Sequence, residues 1–275
     1  MINFLKYNSS GNDFIIIDNR EKMFISEVEH IRKVCDRNFG IGADGLILLE
    51  LSSQTDYFMN YFNSDGRPSS FCGNGSMCCG HFAETIGILK KKNNQSKGVF
   101  STREGNFSVH VHDKKVSISM PDVLKNDNIK LINMNNEVSM IINTGSPHAL
   151  VFKSNLDNID VNKEGAKIRY SDTFKQDGIN VTFLEDSEDI ICIRTYERGV
   201  ERETLSCGTA VVAAALSQFN LSTNSSISIK IKTRGGIFTV QFKFEQENQI
   251  FSNIILSNEV DMVFEGNYPN SQLDT

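Results

Sequence analysis

No stretch of this 275-residue chain approaches the roughly 18 consecutive apolar residues that a membrane-spanning helix needs, so a helical membrane protein is not expected. The opening run Met1 to Tyr7 lacks a basic segment followed by an apolar one, so no secretory leader is expected and a cytoplasmic location is. Positive charge is in deficit. There are 28 Lys and Arg against 34 Asp and Glu, a net charge of −6. Phosphate binding wants a basic surface, so nucleic acid is not the expected partner. The basic run Lys90-Lys91-Lys92 sits among Asn93, Asn94, Gln95 and Ser96 and reads as a solvated loop.

Paired Cys-x-x-Cys spacing is missing too: Cys72 and Cys78 are six apart and Cys79 is adjacent, which is not the pattern of structural zinc, and no metal is expected. What the chain does have is six cysteines, at 35, 72, 78, 79, 192 and 207. A long chain without a leader is expected to keep them reduced. Cys35 and Cys192 lie in apolar-periodic segments, and Cys78 and Cys79 fall inside a helical pattern, so all four read as buried packing residues.

An internal repeat organises the rest. Gly11-Asn12-Asp13-Phe14 leads into an apolar run, as does Gly145-Ser146-Pro147-His148. Asp44-Gly45 matches Asp177-Gly178, Phe62-Asn63 matches Tyr196-Glu197, and Cys72-Gly73-Asn74 matches Cys207-Gly208-Thr209, all in the same order at offsets of 133 to 135. Such a period predicts two similar domains. Their equivalent polar turns are expected to face a cleft, a usual place for a small-molecule site. The first domain is expected over 1–120 with a C-terminal strand at about 262–275, and the second over 121–261, with Pro121-Asp122 at the crossing. Strands are expected at Phe14–Ile17, Leu46–Leu49, Val109–Val111, Val116–Met120, Met140–Ile142, Ile190–Arg194, Ser226–Lys232 and Phe238–Phe244, and helices at Ser26–Cys35, Gly75–Ile88 and Thr209–Phe219. Many short strands and one central helix per half predict a mixed α/β chain, each helix lying inside a curved sheet. The polar tail Gly266–Thr275 is expected to fray at its end.

In both halves a Cys-Gly turn feeds a helix. Helix entrances present unpaired N–H groups and the positive end of the dipole, which favours a thiolate and binds a carboxylate. Two such entrances on opposite sides of one carbon would let one sulfur remove a proton while the other delivers one, which is what inverting a stereocentre requires. The N–H groups would also stabilise charge building on the carboxylate. Glu197-Arg198 reads either as a surface ion pair or as a grip on a charged substrate group. Asn12 and Asn63 are turn residues or substrate contacts, and His148 orients a cysteine or caps its turn.

Taken in order, Gly11-Asn12-Asp13-Phe14, Gly40-Ile41-Gly42-Ala43-Asp44-Gly45, Phe62-Asn63-Ser64-Asp65-Gly66, Cys72-Gly73-Asn74-Gly75, Pro147-His148, Asn180, Tyr196-Glu197-Arg198-Gly199 and Ser206-Cys207-Gly208-Thr209 resemble the diaminopimelate epimerases over nearly the whole chain. The resemblance implies interconversion of LL- and meso-2,6-diaminopimelate without pyridoxal phosphate or metal, in lysine and peptidoglycan-precursor synthesis. It also implies two pseudo-symmetric domains, each a β-barrel-like sheet around a central helix, often in a homodimer. It makes Cys72 and Cys207 the acid–base pair, and gives the N–H groups of Gly73, Asn74, Gly208 and Thr209 to the reacting carboxylate. Asn12, Asn63, Asn180, Glu197 and Arg198 fall to the amino and distal carboxylate groups, with His148 and Ser146 in support. Three positions depart from the family pattern: Met77 for an arginine, Ser146 for an asparagine and Ala210 for a glycine. Met77 and Ala210 lie along helices, whereas Ser146 shortens a polar reach toward the reacting amino group.

Rival readings separate on chemistry. A proline or hydroxyproline racemase has no use for a Glu-Arg grip on a second amino acid. A related isomerase branch carries a carboxylate where this chain has cysteine. A non-catalytic binder of zwitterions would bind without exchanging the α-proton.

Overall fold

The computed structural model describes residues 1–69, 71–134, 137–187, 189–219 and 227–269; the expected tail beyond residue 269 and the expected strand start at Ser226 lie outside them. The chain divides into two compact units, one from residues 1–118 and 257 onward, the other from 119–256.

In the first unit the strands β1 (Ile2–Ser9) and β2 (Asn12–Asp18) are followed by helix α1 (Val28–Cys35), then β3 (Gly45–Glu50) and β4 (Tyr57–Asn63). Helix α2 (Gly73–Thr85) leads on to β5 (Gln95–Thr102), β6 (Gly105–His112) and β7 (Lys115–Ser119). Successive neighbours pair antiparallel, except that β2–β3 and β4–β5 are parallel. A parallel step needs a crossover connection, and here α1 and α2 supply the two.

The second unit repeats this order. Its first elements are β8 (Val123–Leu124), a one-turn helix α3 (Lys125–Asn128), β9 (Ile129–Met134), β10 (Glu137–Asn143) and β11 (Pro147–Phe152). Then come α4 (Val161–Arg169), β12 (Asn180–Ser187), β13 (Ile190–Glu197), β14 (Arg202–Thr204) and α5 (Gly208–Ser217). β15 (Ile227–Lys232), β16 (Ile237–Glu245), β17 (Ile250–Glu259) and β18 (Asp261–Tyr268) complete the chain, and β18 returns to pair antiparallel with β1 in the first unit. Again β11–β12 and β13–β15 are the parallel steps, bridged by α4 and α5, and β10–β11, β12–β13 and β15–β16 are antiparallel. The expected mixed α/β, two-domain fold is what the chain adopts.

The layering follows from periodicity. β3 is an unbroken apolar run, buried along both faces as a strand covered on each side should be. Leu46 and Leu48 join Ile31, Val34 and Cys35 of α1 in one core layer, while Ile47 lies against α2 beside Gly75. In the second unit Val151, Val181 and Phe183 pack with Val161 of α4. Residues 73–80 of α2 are all buried, with its polar His81, Glu84 and Thr85 confined to the last turns, and Ala210 to Leu216 of α5 are all buried. Helical turns buried on all sides belong inside a core, and these two helices are its centre in each unit.

Small residues let the sheet close on them. A Cβ on Gly80 would lie 2.5 Å from Cγ2 of Val109 in β6. Alanine there would gain about 1 kcal/mol of helix propensity but cost about 1–3 kcal/mol by over-packing. We expect a net loss, read as a lower urea midpoint for Gly80→Ala, and a raised midpoint would mean that the barrel has slack.

Helix bounds differ from expectation in detail. α2 starts at Gly73, ahead of the expected Gly75, because Cys72 itself is the cap; α1 starts at Val28 instead of Ser26; α4 was not expected.

Candidate active site

Cys72 and Cys207 occupy the same structural position in the two units. Cys72 caps α2 in an extended conformation (φ −126°, ψ 112°), and Cys207 caps α5 likewise (φ −139°, ψ 115°). The Cys72 carbonyl accepts from Ser76 N–H at 2.8 Å and the Cys207 carbonyl from Val211 N–H at 3.0 Å. Cys72 Sγ accepts from the Gly75 N–H at 3.4 Å, so the sulfur takes the place of an N-cap oxygen. Cys207 Sγ lies 3.4 Å from the hydroxyl of Thr209. Gly73, Asn74 and Gly208 form the buried first turns of α2 and α5, which begin ahead of the expected Gly75 and Thr209.

The other four cysteines differ. Burial pushes the Cys35 thiol up to about 12 and raises Cys79 and Cys192; for Cys78 burial is joined by the nearby sulfurs of Cys72 and Cys79. All four stay protonated at neutral pH, which leaves the helix entrances as the place for thiolate chemistry. Cys35, Cys78 and Cys79 are buried as expected, and Cys192 is half-buried against the α4 layer.

Asn12 opens β2 and Asn63 closes β4, and a charged cluster ties the two turns together. Buried Lys6 pairs with Asp13 at 2.7 Å and also donates to the Gly42 carbonyl. Arg37 bridges Asp13 at 2.6 Å and Asp44 at 2.9 Å. Asp44 N–H donates to Asp13 Oδ1 at 3.0 Å, and the Asp44 carbonyl accepts from Ser64 N–H at 3.1 Å. Burial works to raise the Asp13 carboxyl, but Arg37 and Lys6 outweigh it and hold it at about 2. For Asp44 burial prevails, helped by the Asp13 charge, and its pKa rises. Nothing in the sequence had marked Lys6 or Arg37, which stand 7 and 24 residues from Asp13.

Around Cys207 the expected residues form one hydrogen-bonded group. Thr209 Oγ1 is 2.9 Å from His148 Nε2, and His148 Nδ1 is 3.2 Å from Thr182 Oγ1. Asn180 Nδ2 donates to Ser146 Oγ at 2.8 Å, and Asn180 Oδ1 accepts from Arg198 N–H at 2.8 Å. Ser146 therefore anchors Asn180. His148 is fully buried; burial first, and the Arg198 charge second, bring its pKa down to about 3. Its imidazole is neutral, with one donor and one acceptor nitrogen. When Nε2 carries the hydrogen, the Thr209 hydroxyl is free to donate to Cys207 Sγ; when Nδ1 carries it, Thr209 donates to His148 and can accept from a thiol. Either protonation state of the sulfur is thus met without burying a charge. Arg198 Nη1 donates to the Asp177 carbonyl at 3.0 Å, beside a half-buried Glu197. Among the described residues, no cluster of His, Cys, Asp and Glu has the make-up of a metal site.

The sequence model of a family described as diaminopimelate epimerase matches residues 4–125 and 140–255. A protein of Flavobacterium psychrophilum named diaminopimelate epimerase is 44% identical over 94% of this chain and 97% of its own. One of Chlorobaculum tepidum with the same name is 41% identical over 94% and 98%. Among solved structures, a probable proline racemase from Agrobacterium radiobacter superposes with a TM-score of 0.71 at 15% identity, over 100% of this chain and 94% of that one. A hydroxyproline epimerase from Agrobacterium vitis superposes with a TM-score of 0.68 at 15% identity, over 96% and 91%. These two share the fold.

Proposed function

Because the chain belongs to the diaminopimelate epimerase family, we propose that it interconverts LL- and meso-2,6-diaminopimelate with Cys72 and Cys207 as its acid–base pair. The observation that carries this reading is the matched pair of sulfurs, each capping a buried central helix in the same backbone conformation. As a thiolate, one sulfur takes the α-proton. The electron pair left on carbon spreads into the α-carboxylate, whose charge is met by the N–H groups of Gly73, Asn74, Gly208 and Thr209. The opposing thiol then gives its proton to the other face, so the enzyme ends with its thiol and thiolate exchanged. No further cofactor enters this sequence of steps.

Asn12, Asn63, Asn180, Glu197 and Arg198 hold the ammonium and carboxylate groups, with Arg198 gripping the distal carboxylate by two parallel hydrogen bonds. The product feeds lysine and peptidoglycan-precursor synthesis in the cytoplasm. The active form is a homodimer; consecutive exposed side chains on β18, Met262 at 47%, Val263 at 57% and Phe264 at 45%, support an apolar contact there.

Incubation with LL-diaminopimelate in heavy water tests this. The expected result is meso product carrying deuterium at the inverted centre, with no racemisation of proline. Tight binding with no α-deuterium would replace the reading with that of a zwitterion-binding module. Mild oxidation is expected to abolish turnover by joining Cys72 to Cys207, reversibly with reductant; full activity in protein shown by mass spectrometry to carry that bond would contradict it.

A further inference from the structure

The turn that carries Glu197 and Arg198 is built around a carboxylate with no part in the proton transfers. Glu201 has φ +56°, a left-handed backbone that non-glycine residues rarely take up without local support. Its N–H donates to the Glu197 carbonyl at 2.8 Å, closing the turn. Its Oε1 accepts from the Gly199 N–H at 3.1 Å and pairs with Arg169 at 3.3 Å. Its Oε2 accepts from the hydroxyls of Tyr170 at 3.0 Å and Tyr196 at 3.2 Å. These partners come from the end of α4, from β13 and from the turn itself. The Tyr196 side chain is seated against α4 at Gly165, where an added Cβ would lie 2.5 Å from the Tyr196 Cβ and 2.7 Å from the ring carbon Cγ. Burial works to raise the Glu201 carboxyl, but the Gly199 N–H, Tyr170 and Arg169 lower it, so it stays anionic.

Arg198 is held from its other side by the turn before β12. Gly178 has φ +72°, and a Cβ there would lie 2.7 Å from Arg198 Cδ and 2.9 Å from the guanidinium carbon of Arg169. The two arginines flank one glycine, one bonded to the Asp177 carbonyl and the other to Glu201. Neither Arg169 nor Glu201 belongs to the motifs read from the sequence.

We propose that Glu201, anchored by Arg169, Tyr170 and Tyr196, is the positioning residue that sets Arg198 for the end of the substrate remote from the reacting carbon. It thereby favours a substrate with a second, charged amino-acid end over a single-ended amino acid. This rests on the role given to Arg198 above. Glu201 touches no substrate atom and acts only through the 197–201 turn.

The experiment is a double-mutant cycle on the full-length enzyme with LL-diaminopimelate, following KM and kcat separately together with the thermal midpoint. Glu201→Gln keeps the shape but removes the charge, and is expected to raise KM about tenfold with kcat held within about threefold. Tyr170→Phe, which removes one donor, raises KM in the same direction by less and carries the test if Glu201→Gln does not fold. In an Arg198→Ala background, either substitution is expected to add no further rise in KM, since the group being positioned is gone. An unchanged KM in Glu201→Gln, or KM effects of Glu201→Gln and Arg198→Ala that multiply, overturns the proposal. An unchanged KM in Arg198→Ala alone overturns instead the role of Arg198 on which it rests.

Discussion

Cys72→Ser and Cys207→Ser are each expected to lose about a hundred- to ten-thousandfold in diaminopimelate turnover, the range that a positioned acid or base contributes. A hydroxyl holds its proton far more firmly than a thiol, so a serine at either helix entrance can serve as neither base nor ready acid. The backbone at both caps is extended and the side chains differ by one atom, so each variant should fold like the parent. Cys35→Ser and Cys192→Ser are expected to keep near-parental turnover, because burial keeps both sulfurs protonated. Stereoisomer analysis with all four proteins measures this, and parental turnover in Cys207→Ser would remove the two-thiol mechanism.

A second large effect is expected in the acid range. In the unfolded chain the His148 imidazole binds a proton below its ordinary 6.5, whereas in the fold it does not until about 3. Between those values the unfolded state holds one proton more, so His148 costs stability as pH falls, by about 1.4 kcal/mol for each unit. The groups around it, Thr182, Thr209, Asn180 and the Arg198 cation, offer no negative charge to offset this. His148→Gln is therefore expected to flatten the fall in urea-unfolding free energy between about pH 6.5 and 4. An equal slope in variant and parent would show that the imidazole is not held neutral. The Asp13 carboxylate also loses its contribution on acidification, but in a lower window, from its ordinary 3.8 down to about 2. The two are separable by pH.

What could be read from the sequence, and what could not, follows from where each signal lies. Cys72 and Cys207 stood out because a capping position, a glycine and a helix entrance are consecutive residues. The repeat stood out because its turns keep their spacing through both units. Helix α4 did not, since Asn162-Lys163-Glu164 is polar and Gly165 breaks the helical pattern; the structure explains that glycine by the Tyr196 ring against it. Strand β18 was expected from about 262 but carries no pattern to fix its bounds, because its side chains from Asp261 to Glu265 are exposed on both faces and show no alternation. The Lys6–Asp13–Arg37–Asp44 cluster and the partners of Glu201 join residues up to 38 and 32 positions apart, and no local spacing announces such pairs. Ser146, read as a shortened polar reach and a supporting residue, accepts from Asn180, a contact visible only once the strands are paired.

The second unit is one continuous length of chain, while the first is assembled from both ends of the sequence. Synthesis on the ribosome therefore emits every residue of the later unit before the earlier one can be finished, since β1 waits for β18 to bring Tyr268 opposite Ile2 and Gly266 opposite Phe4. Until the last strand emerges, the nascent chain carries an open sheet margin beside an apolar layer, and translation order leaves that margin to be sealed last.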